Sequence, residues 1–194
     1  SRVINTNKSI MAVYNTSSDS ANTAIRAFLT KVGEHYWGKS FNTGSGKSKK
    51  IFERIKHEVF EGKCAYCGNI SNKLQIEHLI MFNRAQYGLH HPGNVVPACQ
   101  ACNKRRRDEF SNYLNWEDHL EQICREKDDL NSFFDRKKKI HNHMSKGEFK
   151  YPELNEAEQH AIRVIASSLY DNIKTENDKA LKMYQELDRA FVKK

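Results

Sequence analysis

The chain has 194 residues, with 32 Lys+Arg against 24 Asp+Glu, a net charge of +8 and mean hydropathy of −0.80. That length suits one domain with a real core. No run of about 18 apolar residues is present, which excludes a transmembrane helix, and Ser1–Tyr14 lacks the charged and apolar regions of a signal peptide. A cytoplasmic protein is expected. The charge is uneven: residues 1–43 carry 5 basic and 2 acidic side chains, residues 44–110 carry 12 and 6, and residues 111–194 carry 15 and 16. A basic first half points to an anionic partner, of which nucleic acid is the commonest, although a solvated surface explains a charge excess equally well.

In chain order, Ile10–Tyr14 reads as a short strand. Ala24, Ile25, Phe28, Leu29 and Val32 have helical spacing, with Asp19 or Ser20 as the cap. Phe41–Ser48 reads as a loop. A second helix carries Ile51, Ile55, Val59 and Phe60. From Cys64 to Asn103 the short apolar runs Leu74–Ile76 and Val95–Val96, with turns at Gly88 and Pro92–Gly93, predict strands and loops closed by a helix from about Gln100. Beyond Phe110 the pattern is helical: Leu114–Lys127, Asp129–His143, a helix opened by the capping box Asn155/Glu158 with Leu154 as staple, and a last one over Asn177–Val192. Lys146–Pro152 reads as a linker. The expected fold class is α+β, with a lead-in at 1–43, a cysteine-rich core at 44–110 and a helical region at 111–194.

Four of the five cysteines form two C-x2-C pairs, Cys64/Cys67 and Cys99/Cys102. Two intervening residues let one knuckle turn aim both thiolates at a single ion, and four thiolates suit tetrahedral Zn²⁺ with no open position, hence a structural ion. Disulfides are the alternative, disfavoured without a secretion signal. Cys124 reads as a small apolar core residue.

Between the pairs lie Ile76-Glu77-His78-Leu79 and Gly93-Asn94-Val95-Val96, and the second knuckle runs into Asn103-Lys104. Over Cys64–Lys104 the chain resembles the HNH endonuclease family in its subgroup with a four-cysteine zinc site, and is similar to HNH nucleases of bacterial antiphage and restriction systems. The resemblance implies a ββα-metal core. His78 would lie on the first strand as general base, Asn94 would brace the loop that orients it, and Asn103 would open the helix. Glu77 and Asn103 would hold Mg²⁺ or Mn²⁺, to which hard oxygen ligands are suited. The family's third position is often His and is Asn103 here, an H-N-N variant; His90 or His91 could lend an imidazole instead. The implied activity is DNA hydrolysis leaving 5′-phosphate and 3′-hydroxyl ends, in restriction, antiphage defence or a mobile element. A homodimer and a partner ATPase are compatible with it, and no membrane partner is expected. Arg84, Lys104, Arg105 and Arg106, with Lys47, Lys49 and Lys50, are candidates for phosphate contacts, which raise affinity without reading sequence. A non-catalytic zinc module that binds nucleic acid or protein is the rival.

Two matches are decoys. His141-Asn142-His143 spells the family name but lies far from the cysteines. Gly44–Ser48 echoes a P-loop, yet Phe41 stands where that motif needs Gly.

Overall fold

A computed structural model describes residues 17–41, 43 and 46–192, without the side chains of residues 47 and 48. The strand expected at Ile10–Tyr14 lies outside these residues. Helix α1 spans Ser17–Trp37 and α2 spans Gly46–Arg54, running on through a π-turn at Ile55–Val59. Strands β1 (Gln75–His78) and β2 (Val95–Ala98) pair antiparallel, with Glu77 opposite Val96 and His78 opposite Val95. Helices α3 (Trp116–Glu126), α4 (Phe133–Ser145) and α5 (Glu156–Val192) follow. This is a mixed α+β fold around a two-stranded sheet. Among the described residues no helix is long and apolar enough to cross a membrane.

Asp19 and Ser20 lie inside α1, whose stripe of Ala21, Ile25, Leu29 and Gly33 is buried. Gly33 is there because a Cβ would stand 2.2 Å from the His90 carbonyl oxygen; its absence lets the helix lie directly on the His90 backbone. The capping box forms as read: Asn155 Oδ1 accepts from the Glu158 amide at 2.9 Å, and Glu158 accepts from the Asn155 amide at 2.8 Å. The helix it opens does not break before Asn177 but continues to Val192, since no Gly or Pro interrupts it. Helices α1 and α5 run antiparallel, tied by Ser17 to Asp178 at one end and by Tyr36 to Glu158 at the other.

One core joins Ile55, Phe60, Tyr66, Leu79 and Val96 to Leu120, Ile123, Cys124, Ile140 and Phe149. The boundary expected at 110/111 therefore falls inside a single packed unit. The stretch read as a linker is likewise built in, because Phe149 is buried and the Tyr151 hydroxyl accepts from the Leu89 amide at 3.1 Å. His143 of the decoy triplet is structural: its buried Nε2 donates to the carbonyls of Pro92 and Val95, each at 3.0 Å.

The helix expected from about Gln100 is absent. The amides of Cys102 and Asn103 both bond to the Cys99 carbonyl, closing a turn, and residues 104–115 run irregularly to α3. Asn103 consequently sits in the knuckle rather than at a helix N-terminus. The reason lies in the basic run that follows it. Arg105 reaches back to β1 while Arg106 reaches forward to Glu126 on α3.

Candidate functional site: a histidine cleft beside a four-cysteine cluster

The Sγ atoms of Cys64, Cys67, Cys99 and Cys102 lie within 4.8 Å of one another, and among the described residues theirs is the one such grouping of three or more His, Cys, Asp or Glu ligands. All five cysteines are free of disulfides. Four thiols this close share protons: hydrogen bonds from Cys102 and Cys64 pull Cys67 down to about 2, while those with Cys64 and Cys67 push Cys102 up. Such a cluster could hold a metal ion such as zinc, whose charge lets all four ionise together. It ties the loop before β1 to the turn after β2.

That junction shapes a cleft of about 380 Å³ whose wall includes Ile76, Glu77, His78, Phe82, Asn103 and Tyr113. Adjacent residues of a strand point to opposite faces, and β1 uses this. Glu77 turns to Tyr66 and Arg105; His78 turns to Phe82 and His90.

His78 stacks on Phe82 with ring centroids 4.6 Å apart, and its Nε2 is 2.9 Å from Nδ1 of His90. His90 is itself fixed by stacking on Phe41 at 4.7 Å and by a hydrogen bond to the Phe41 backbone. His90 Nδ1 and His78 Nε2 face each other, one ring nitrogen donating and the other accepting. Burial, reinforced by His90 and then Arg105, holds the His78 imidazole down at about 3, so it is neutral at pH 7. The residue as a whole is half-buried and lines the cleft.

Asn94 is fully buried and braces the loop between the strands. Its Oδ1 accepts from the Ile80 amide at 2.7 Å, and its Nδ2 donates to the Ile80 and Leu89 carbonyls at 2.9 Å. The loop closes against Gly88, where a Cβ would stand 1.9 Å from the Ile80 carbonyl oxygen. This loop carries both Phe82 and His90, so Asn94 acts on His78 at one remove.

Glu77 differs from its expected place as an ion ligand. Its Oε1 accepts from Arg105 Nη2 at 2.7 Å and from the Tyr66 hydroxyl at 3.2 Å. Burial raises its carboxyl above the ordinary range, and Arg105 followed by Tyr66 opposes the rise. Both donors go to Oε1, leaving Oε2 without a hydrogen bond among the described residues. Asn103 donates from Nδ2 to Gln75 Oε1 at 3.1 Å and to the Ile76 carbonyl at 3.2 Å, so its Oδ1 is likewise left without a donor.

Two expected phosphate contacts are turned inward. Arg105 is buried and bonds Glu77 and the carbonyls of His78, Leu79 and Leu114. Arg106 pairs both carboxylate oxygens of Glu126 and also bonds the Ala101 and Lys104 carbonyls. A run of four charges is read as surface, but a guanidinium has five donors and can organise several carbonyls at once. Lys104 is exposed on the cleft wall. Arg84 is exposed, 3.7 Å over the ring of Tyr170. Lys49 and Lys50 are exposed on α2. His91 does not face His78; its Nδ1 accepts from the Gly93 amide at 3.0 Å.

The residues that the pattern did not single out are Tyr66 and Tyr113. Arg107 lies 3.7 Å over the Tyr113 ring at the cleft wall. The alternation of Arg107, Phe110 and Tyr113 was the available signal.

Comparisons of the chain with protein-family models, with curated proteins and with solved structures found no match.

Proposed function

We propose that this protein is a metal-dependent endonuclease of the HNH type that hydrolyses DNA, with Zn²⁺ on Cys64, Cys67, Cys99 and Cys102 holding the site together. The observation that carries the reading is the His78–His90 hydrogen bond, which holds a neutral imidazole at the wall of a cleft. The His78 imidazole takes a proton from water, the water oxygen bonds to phosphorus, and the bond from phosphorus to the 3′ oxygen breaks; that oxygen leaves with a proton. Asn94 and His90 keep the imidazole in register. Lys104 meets the phosphate.

A divalent ion has two oxygen donors of suitable type at the cleft, Glu77 Oε2 and Asn103 Oδ1. When bound, it supplies charge for the phosphate and the leaving oxygen. Arg105 offsets most of the Glu77 charge, so this pair would hold a largely hydrated ion weakly. The same ion pair favours the second reading, a zinc module that binds nucleic acid without cutting it, because a neutralised Glu77 is a poor cation ligand.

The test is cleavage of plasmid and single-stranded DNA with Mg²⁺ or Mn²⁺, by wild type and by His78→Ala of equal zinc content. Cutting by wild type and loss of at least about a hundredfold in the variant is expected. Equal cutting by both refutes a base role for His78. Binding without cutting by either protein establishes the second reading.

A further inference from the structure

The His78 cleft does not end at Tyr113. Asn83 and Tyr113 also line an adjoining groove of about 370 Å³, whose other walls are Arg26 on α1, Arg84 and Tyr170 on α5. The two hollows adjoin at these residues, the second lying toward the α1–α5 pair.

Among the described residues, three arginines on this path have no carboxylate partner. Arg54, Arg105, Arg106, Arg125 and Arg136 are in ion pairs with carboxylates. Arg26 bonds only the Thr23 hydroxyl, Arg107 only the Ser111 carbonyl, and Arg84 rests on Tyr170. An arginine flat on a tyrosine ring is held in place while its N–H edge stays open to a phosphate. The groove between them has no acidic residue in its wall.

A rigid turn stands beside the path. Arg107 and Tyr113 form its base as an isolated bridge, and Asp108 closes it by accepting from the amides of Phe110 and Asn112 at 2.9 and 2.8 Å. Phe110 stands at the tip, 76 % exposed. The acids here are Asp108, whose carboxylate is engaged within the turn, and Glu109, which is exposed. A large exposed aromatic on a fixed turn next to unpaired arginines is the pairing that single-strand binding uses: cations for the backbone, a ring face for a base.

We infer that the path from His78 past Tyr113 to Arg84 and Arg26 is the track of a single nucleic-acid strand, and that Phe110 stacks on one of its unpaired bases. This rests on the reading of the His78 cleft as a phosphodiester site and names the substrate as unpaired DNA. It also gives α5 a part in substrate binding through Tyr170.

The experiment is fluorescence anisotropy with a labelled mixed-sequence single-stranded DNA and its duplex, over a range of salt, without added magnesium or manganese. Wild type, Phe110→Ala and Arg84→Gln are compared. Phe110→Ala is expected to weaken single-strand binding about tenfold at every salt concentration. Arg84→Gln is expected to lower the slope of log K against log salt by about 0.7. With no magnesium or manganese added, binding is read without cleavage and is decided apart from the nuclease reading. Wild-type binding by Phe110→Ala, or duplex bound as tightly as single strand, would overturn the proposal. Phe110 and Arg84 are exposed, so neither substitution disturbs the core.

Discussion

The Glu77–Arg105 pair is the tie between the site and the stability of the fold, and Arg105→Leu tests it. The two side chains are 9 % and 4 % exposed, and Nη2 lies 2.7 Å from Oε1. Removing the guanidinium strands a carboxylate in the core and frees the carbonyls of His78, Leu79 and Leu114. Breaking a buried pair from one side costs about 3–5 kcal/mol, a large part of the 5–15 kcal/mol that holds an ordinary domain. Most of that cost belongs to the stranded charge, so Glu77→Gln added to Arg105→Leu should recover about 2 kcal/mol, within the range for coupled neighbours. The pH dependence has a definite sign. Burial raises the Glu77 carboxyl and Arg105 opposes the rise; without Arg105 it rises further. A raised carboxylate contributes stability at low pH and loses it as pH rises through the folded value. The gap between Arg105→Leu and wild type should therefore narrow as pH falls. Urea unfolding followed by the fluorescence of Trp37 and Trp116 measures both effects. A loss below about 1 kcal/mol, or a gap that does not move with pH, would refute the account of this pair.

Three further outcomes follow from the same geometry. His90→Phe keeps the ring stacked on Phe41 but removes the partner of His78 Nε2; cleavage should fall about ten- to a hundredfold with the melting temperature little changed, and unchanged cleavage would show that His90 does not orient His78. Elemental analysis should find one zinc per chain, and Cys99→Ser or a strong chelator should lose it together with the cooperative unfolding transition; a sharp transition in the metal-free protein would remove the structural role. His91 is buried and held down at about 4 by burial, then by His143 and His90. A depressed histidine contributes stability above its unfolded value of about 6.5 and loses it as pH falls, here about 2 kcal/mol between pH 7 and 5. His91→Asn, which can still accept from the Gly93 amide, should flatten that part of the acid profile, and an unaltered profile would exclude His91 as its source.

What could be read from the sequence was local. The Asn155/Glu158 box concerns four consecutive residues, and each C-x2-C turn likewise, so spacing alone sufficed. The helix expected from Gln100 was misread for the opposite reason. Arg105 is held by Glu77, 28 positions earlier, and Arg106 by Glu126, 20 positions later; neither partner is visible in a window around the arginines, and together they pull that stretch out of helical geometry. The role of His90 was hidden in the same way, since its link to His78 depends on Gly33 admitting α1 against its backbone and on Asn94 folding the intervening loop.

Charge shows most clearly how position overrides composition. The segment 44–110 holds most of the excess positive charge, which would place the anion-binding face wholly within it. In the fold, Arg54 of that segment pairs with Glu148, Lys56 with Glu53, Lys63 with Glu61, Arg105 with Glu77 and Arg106 with Glu126. Arg105 ties the stretch before α3 to β1 and Arg106 ties it to α3, so these two charges are already engaged within the fold. Those facing the cleft and groove without a carboxylate partner are Lys104, Arg107 and Arg84, joined by Arg26 from the first helix. The ring that positions Arg84 comes from α5, in the half of the chain with no positive excess. A phosphate responds to unpaired charge at a given place, not to a segment's net charge. On the inferred track, Tyr170→Ala on α5 should therefore weaken single-strand binding by releasing Arg84, even though it subtracts no positive charge.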